Sequence, residues 1–183
     1  ACLGFFVGNS LSAEGVLPTG YSCLEILDAK AFSREVDRIL ELYPREVTEV
    51  QFNLLSSHDT PRFKTLAHSD DSAYRLALLF QMTYPGAPSI YYGEEIGMAA
   101  GANMQPDASL RTPMSWNNDA THAGFSTSTP FRALSQNASV NNVEAQQLDS
   151  SSLYYWYQSL YALRSAHPVI SIGEMNVLTS SNE

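Results

Sequence analysis

Two short apolar runs, Val50 to Leu55 and Ser89 to Tyr92, constrain this chain most, because each is flanked by segments of helical period. Phe32, Val36, Ile39, Leu40 and Tyr43 fall at i, i+4, i+7, i+8 and i+11, one face of an α-helix that opens at Asp28 and ends at Pro44. A second helix, capped by Asp70 or Asp71, carries Tyr74, Leu76, Leu78, Leu79, Phe80 and Met82 until Pro85-Gly86 stops it. A third runs from about Ser151 to Ala166 and ends at His167-Pro168. Between them, Val50, Phe52, Leu54 and Leu55 read as a strand buried on both faces, as parallel strands are. Ser89, Ile90, Tyr91 and Tyr92 read as another, and Met175, Val177 and Leu178 suggest a last one. Strands alternating with helices at this spacing predict an α/β fold with a parallel sheet. Two good parallel strands are too few for a self-contained sheet.

Composition excludes several other classes. Apolar residues make up 44% and aromatics 11% of the 183 residues, enough for a core, while charged residues are only 16%. Disorder through excess charge is therefore excluded. The formal net charge is −9, and Lys30 and Lys64 are the only lysines. Nucleic acid or an anionic membrane as main partner is excluded with it, since phosphate binding needs clustered Lys and Arg. No apolar run approaches the ~20 residues of a transmembrane helix. A soluble chain is expected, with no choice between cytoplasm and secretion. It opens at Ala1 with no signal peptide, as expected of a piece cut from something longer. Cys2 and Cys23 fit neither a disulfide framework nor a zinc pattern, so small buried thiols are expected. The apolar start of residues 1–28 gives way to a Gly/Ser/Pro loop through Gly15, Pro18 and Gly20.

The densest polar cluster is Ser56-Ser57-His58-Asp59-Thr60-Pro61-Arg62, directly after the first strand. Side chains at the carboxyl ends of parallel strands converge over the sheet, which is where such folds do chemistry. His58 and Asp59 are thus either catalytic groups or a turn-capping Asp beside a satisfied His. Gly93-Glu94-Glu95-Ile96-Gly97 follows the second strand, where Glu94 either joins a substrate site or makes a structural hydrogen bond or ion pair. The stretch 93–150 has no clean period and is rich in turn-forming Asn, Ser, Thr, Gly and Pro, which marks a functional or a disordered connection. The sequon Asn137-Ala138-Ser139 within it is read as incidental.

The order of these pieces is informative. The run from Phe52 to Phe63 resembles the segment around the seventh barrel strand of the α-amylase family of glycoside hydrolases (family 13). Tyr84 to Met98, with Tyr91-Tyr92-Gly93-Glu94-Glu95-Ile96-Gly97-Met98, is similar to that family's passage into strand eight. Arg111-Thr112-Pro113-Met114-Ser115-Trp116 with Ala123-Gly124-Phe125 resembles its long loop after that strand. Asn142 to Gln146 and Tyr161 to Pro168 resemble its eighth helix region. Leu40 to Arg62 is most similar to the neopullulanase and maltogenic-amylase branch. The resemblance spans roughly residues 30 to 175 in the family's own order.

The resemblance implies a partial (β/α)₈ barrel from about helix six to helix eight. Residues 1–168 would belong to the barrel, the loop 93–150 included, and 169–183 would begin a C-terminal β domain. Family members cleave α-glucosidic bonds with retention, which needs a nucleophilic carboxylate and a carboxylic acid ~5–5.5 Å apart. The family's Gly-x-Arg-x-Asp motif and its acid Glu are not among these residues; Arg34-Glu35-Val36-Asp37 has the wrong spacing and reads as a solvated helix face. By resemblance Asp59 is the third carboxylate, which binds hydroxyls of the sugar at the cleavage point and favours its distorted ring, and His58 donates to the same sugar. Arg62 either orients loop carboxylates or serves as a buried ion-pair partner. Asp107 and Arg111 lie near the family's Asp-Pro-x-x-x-Arg run, but here the order is Gln105-Pro106-Asp107-Ala108-Ser109-Leu110-Arg111. Tyr91, Tyr92 and Trp116 either stack on sugars or pack the core, with the core favoured for the tyrosines. No cofactor is expected, and calcium stays open for a full-length parent because no Asp-x-Asp-x-Asp loop is present. The partners implied are α-glucan or maltodextrin in a complete enzyme, and a second copy or a complementing barrel segment. Two readings follow: the C-terminal part of an α-glucan hydrolase, or a non-catalytic fragment that assembles with itself and holds sugar weakly or not at all.

Overall fold

The computed structural model describes residues 2–8, 26–68, 70–102 and 104–178. Its elements in chain order are α1 (Cys2–Phe6), α2 (Ala29–Leu42), α3 (Arg45–Thr48), β1 (Phe52–Asn53), α4 (Phe63–Leu66) and α5 (Asp71–Thr83). Then come β2 (Ala87–Pro88), a 3₁₀ turn (Glu94–Ile96), α6 (Pro106–Ser109), α7 (Val143–Gln147), α8 (Leu153–Ala166) and α9 (Val169–Ile172). Gly15, Pro18, Gly20 and Cys23 lie outside the described residues.

The three long helices form where the period places them. Asp28 caps α2, its carboxylate accepting from the Ala31 N–H at 2.6 Å, and Phe32 and Val36 are its buried face. Asp70 caps α5 through the Ala73 N–H at 2.9 Å. α5 buries Tyr74, Ala77, Leu78 and Met82, packing against Leu153, Tyr157 and Leu160 of α8. Fully burying side chains of this size contributes roughly 1.5–3 kcal/mol each, so this helix pair holds the core. Arg164 of α8 then donates to the carbonyls of Met82 (2.8 Å) and Tyr84 (3.1 Å), satisfying the otherwise orphaned end of α5. α1 packs on α5 and α2, where Phe5 stacks on Phe32 at 4.3 Å.

β1 and β2 pair in parallel, Phe52 opposite Ala87 and Asn53 opposite Pro88. The ladder continues through Ala87 N–H to Gln51 O (2.8 Å) and Ser89 N–H to Asn53 O (2.9 Å). Gln81 of α5 ties both strands together, its amide donating to Asn53 O (2.9 Å) and Ser89 O (3.0 Å). Gly86 enters β2 at φ +99°, and a Cβ there would lie 2.8 Å from the carbonyls of Gln51 and Thr48, so only glycine fits.

Several expectations are corrected. The first strand is not buried on both faces: Val50 is 72%, Phe52 78% and Leu54 48% exposed. β1 and β2 pair only with each other, and no described strand covers the outer edge of either. The second strand is Ala87–Pro88 rather than Ser89–Tyr92; the chain leaves the ladder after Ser89 and turns at Tyr92-Gly93 into the 3₁₀ segment. Met175, Val177 and Leu178 form no strand; Met175 and Val177 instead pack on the Phe32 cluster. α1 and α9 are helices where none was expected. The stretch 93–150 holds only short elements, the 3₁₀ turn, α6 and α7, and side-chain bonds order the segments between them. Asn137, the sequon residue, accepts from Ala99 N–H (3.0 Å) and donates to Gly97 O (2.9 Å). Among the described residues no helix is long and apolar enough to cross a membrane.

Candidate functional site

His58 and Asp59 stand at the tip of a tight turn that follows β1. The Ser57 N–H donates to the Thr60 hydroxyl oxygen at 2.8 Å, and the Asp59 N–H donates to the Ser57 hydroxyl oxygen at 3.1 Å. Ser and Thr hydroxyls make such turns because they mimic backbone partners at short range. The turn leaves both side chains open: that of His58 is 65% and that of Asp59 60% exposed, with His58 Nε2 3.2 Å from Asp59 Oδ2.

Arg111 reaches this turn from a segment 52 residues further along the chain. Its Nε donates to the His58 carbonyl (3.2 Å) and its Nη2 to Asp59 Oδ1 (3.3 Å). The same guanidinium forks onto both oxygens of Asp107, each at 2.8 Å. Asp107 and Arg111 meet because α6 and the turn after it set them four residues apart, one helical turn. The departure from the family's residue order therefore does not separate the pair. A planar fork between two carboxylates fixes direction as well as charge, which lysine would not do.

Two residues read as substrate-binding stand elsewhere. Glu94 is 2% exposed, beneath the site rather than on it. Its carboxylate accepts from the Ser56 hydroxyl and from the Tyr91 N–H (3.0 Å), while its backbone carbonyl accepts from the Tyr74 hydroxyl (2.9 Å). Burial pushes its carboxyl up to about 7, against the opposing effect of these hydrogen bonds and of the Arg62 charge. Neighbouring Glu95 is raised too, again by burial. Arg62 is 1% exposed, its guanidinium carbon 4.7 Å from the Tyr91 ring centroid and 4.8 Å from that of Tyr92. Its Nη1 donates to the Tyr92 carbonyl at 2.8 Å. Ser56 and the Tyr91 and Tyr92 hydroxyls are members of this supporting layer that residue type alone did not single out. The signal available for them was the strand-end position of each. Trp116 is 50% exposed. Among the described residues no three His, Cys, Asp or Glu side chains gather to hold a metal ion.

A turn presenting an open Asp–His pair, clasped by an arginine from a distant loop, is the geometry against which relatives can be compared. The family model for the α-amylase catalytic domain matches residues 20–173. The chain belongs to the α-amylase family. A cyclomaltodextrinase from a Bacillus species is 35% identical over 156 residues, covering 85% of this chain and 22% of that protein. Neopullulanase 2 of Thermoactinomyces vulgaris is 44% identical over 99 residues, 54% of this chain and 16% of its own. Among solved structures, the alpha-amylase from H. orenii superposes with a TM-score of 0.69 at 28% identity, over 82% of this chain and 30% of that one. A trehalulose synthase gives the same TM-score at 20% identity, a likeness of fold. The chain thus spans about a fifth of the length of the curated relatives it matches. The α/β fold expected from the alternation of strands and helices is shared with these α-amylase family members.

Proposed function

We propose that this chain is the sugar-positioning part of a retaining hydrolase of α-glucosidic bonds, acting on starch-type α-glucan or maltodextrin. In this reading β1 and β2 are neighbours in a (β/α)₈ barrel, residues 1–168 belong to that barrel and 169–183 begin the following β domain. Asp59 accepts hydrogen bonds from hydroxyls of the sugar at the cleavage point, and His58 donates to the same sugar. Such bonds tighten as the ring flattens toward an oxocarbenium ion, so they lower the barrier more than uniform binding would. Arg111 and Asp107 hold Asp59 in direction. Nucleophile and acid come from barrel strands outside this sequence.

The single observation that carries the reading is the Arg111 fork, which leaves Asp59 and His58 exposed yet fixed in direction. Floppy surface carboxylates would have no such anchor. The test is an NMR titration of the chain with acarbose. Few hydrogen bonds oppose the entropy lost on association, so the expected dissociation constant is roughly millimolar or weaker. The His58 imidazole and Arg111 Nε–H signals should move, and Asp59→Asn should abolish the effect. Shifts confined to other residues, or unchanged in Asp59→Asn, contradict the assignment.

A second reading, self-association, has its own observation. Beside the bare edge of β1 lies an apolar groove of about 230 Å³, lined by Phe32, Val36, Ile39, Phe52, Phe80 and Tyr84. Exposed strand edges with apolar side chains pair with other strands. A second copy, or a complementing barrel segment, would cover it.

A further inference from the structure

The sugar-site reading leaves unexplained how Arg111 is aimed, since residues 110–114 lie in no helix or strand. The hydroxyl of Tyr91 donates to the carbonyl of Leu110 at 3.1 Å, and that of Tyr92 to the carbonyl of Thr112 at 2.6 Å. Two adjacent tyrosines thus pin the residue before and the residue after Arg111. Their rings meet edge to face at 4.7 Å, and the Arg62 guanidinium carbon lies against both, 4.7 and 4.8 Å from their centroids. Nε and Nη2 of Arg62 make no hydrogen bond, so the ring faces meet the charge there. Below, Glu94 accepts from the Tyr91 N–H and from Ser56, the residue two before His58. A circuit closes: the Asp59 turn, Ser56, Glu94, Tyr91 and Tyr92, the backbone around Arg111, and Arg111 back to Asp59.

We propose that Tyr91 and Tyr92, packed together against Arg62, are positioning residues that aim Arg111 at Asp59. This deepens the proposed sugar site and rests on that reading for its functional meaning. A site must be held to within ~0.5 Å by its supporting shell, and a loop without regular elements supplies no such hold by itself. Packing alone would not require a hydroxyl on either ring. Here both hydroxyls reach the peptide groups flanking the one arginine that touches Asp59.

The test uses the whole chain and no sugar. The Arg111 Nε–H, assigned by its disappearance in Arg111→Lys, donates to the His58 carbonyl. Its exchange with water is followed by NMR in Tyr91→Phe and Tyr92→Phe, with the Arg38 Nε–H, bonded to Glu35 on α2, as internal control. Each variant removes one hydrogen bond, so Arg111 exchange should quicken roughly fivefold while Arg38 does not change. Unchanged Arg111 exchange, even with a lowered melting temperature, would overturn the proposal and leave the tyrosines as packing. Tyr92 is 39% exposed, so losing its hydroxyl does not empty the core; should Tyr92→Phe still unfold, Tyr91→Phe gives the same readout. If neither variant folds, the hydroxyls are structural and the proposal fails. Because no sugar is present, failure here leaves the sugar-site reading standing, and failed acarbose binding leaves the clamp standing.

Discussion

Glu94 offers the sharpest test of the supporting layer, because its carboxyl is buried and held at about 7 instead of the ordinary 4.5. Between those two pH values the folded chain keeps the proton while the unfolded chain releases it. The folded state then binds more protons, so stability falls as pH rises through that window and levels off above it. A difference of about two and a half pH units corresponds to up to ~3 kcal/mol, a large part of a small domain's net stability. Glu94→Gln keeps one oxygen to accept from the Tyr91 N–H, turns an amide N–H toward the Ser56 hydroxyl oxygen, which can accept it, and cannot titrate. Denaturant unfolding at pH 5 and pH 8 therefore should show the variant gaining on the parent by up to ~3 kcal/mol over that interval. Glu95, raised in the same direction, contributes to both chains and cancels in the comparison. Tyr74 and Tyr157 couple to the same carboxyl, and burial moves both hydroxyls upward, further from this pH window. A parent–variant difference that stays constant with pH would refute the buried, protonated Glu94.

Three further outcomes follow from the same structure. The purified chain should release no reducing sugar from soluble starch above background, because Asp59 has no covalent step to assist; release that vanishes in Asp59→Asn would contradict this. Light scattering should show an assembly larger than the 20.1 kDa monomer, which Phe52→Lys breaks up by charging the bare edge of β1; a monomer with concentration-independent unfolding would sink the idea. Leu78→Ala should cost about 2–5 kcal/mol of stability by leaving a void between α5 and α8, and a loss under about 1 kcal/mol would mean that this helix pair does not hold the core.

The helices were legible because their signals are local. Asp28, Pro44, Asp70 and Pro85 punctuate periods that tertiary packing then uses. The strands were legible in place but not in surroundings. Apolar Val50, Phe52 and Leu54 imply two covered faces, whereas no described strand covers the outer edge of β1 or β2, a shortage that two parallel strands already implied. β2 lies two residues before its expected start, and Pro88 is tolerated there because the ladder's donors are its neighbours Ala87 and Ser89. His58 and Asp59 were singled out by their strand-end position and family motif, and Asp107 with Arg111 by their place near the family's Asp-Pro-x-x-x-Arg run, from which they depart. Burial bears on the alternatives left open for Glu94 and Arg62, which are 2% and 1% exposed. A carboxylate at a strand end looks the same in sequence whether it faces solvent or a hydroxyl beneath the site, although Gly93 and Gly97 at positive φ with buried Ile96 and Met98 mark an inward turn. The tyrosine clamp was out of reach, because its acceptors are backbone carbonyls of Leu110 and Thr112 about 20 residues away.

The central claim is that Asp59, aimed by Arg111, favours the transition state of α-glucosidic bond cleavage. The most direct measurement replaces the matching segment of the Bacillus cyclomaltodextrinase with this chain and follows hydrolysis of cyclomaltodextrin with and without Asp59→Asn. The account predicts an active chimera whose kcat/KM falls by roughly 10²–10³ on the single change, the scale of losing one transition-state contact. An active chimera whose kcat/KM is left unchanged by Asp59→Asn would contradict it.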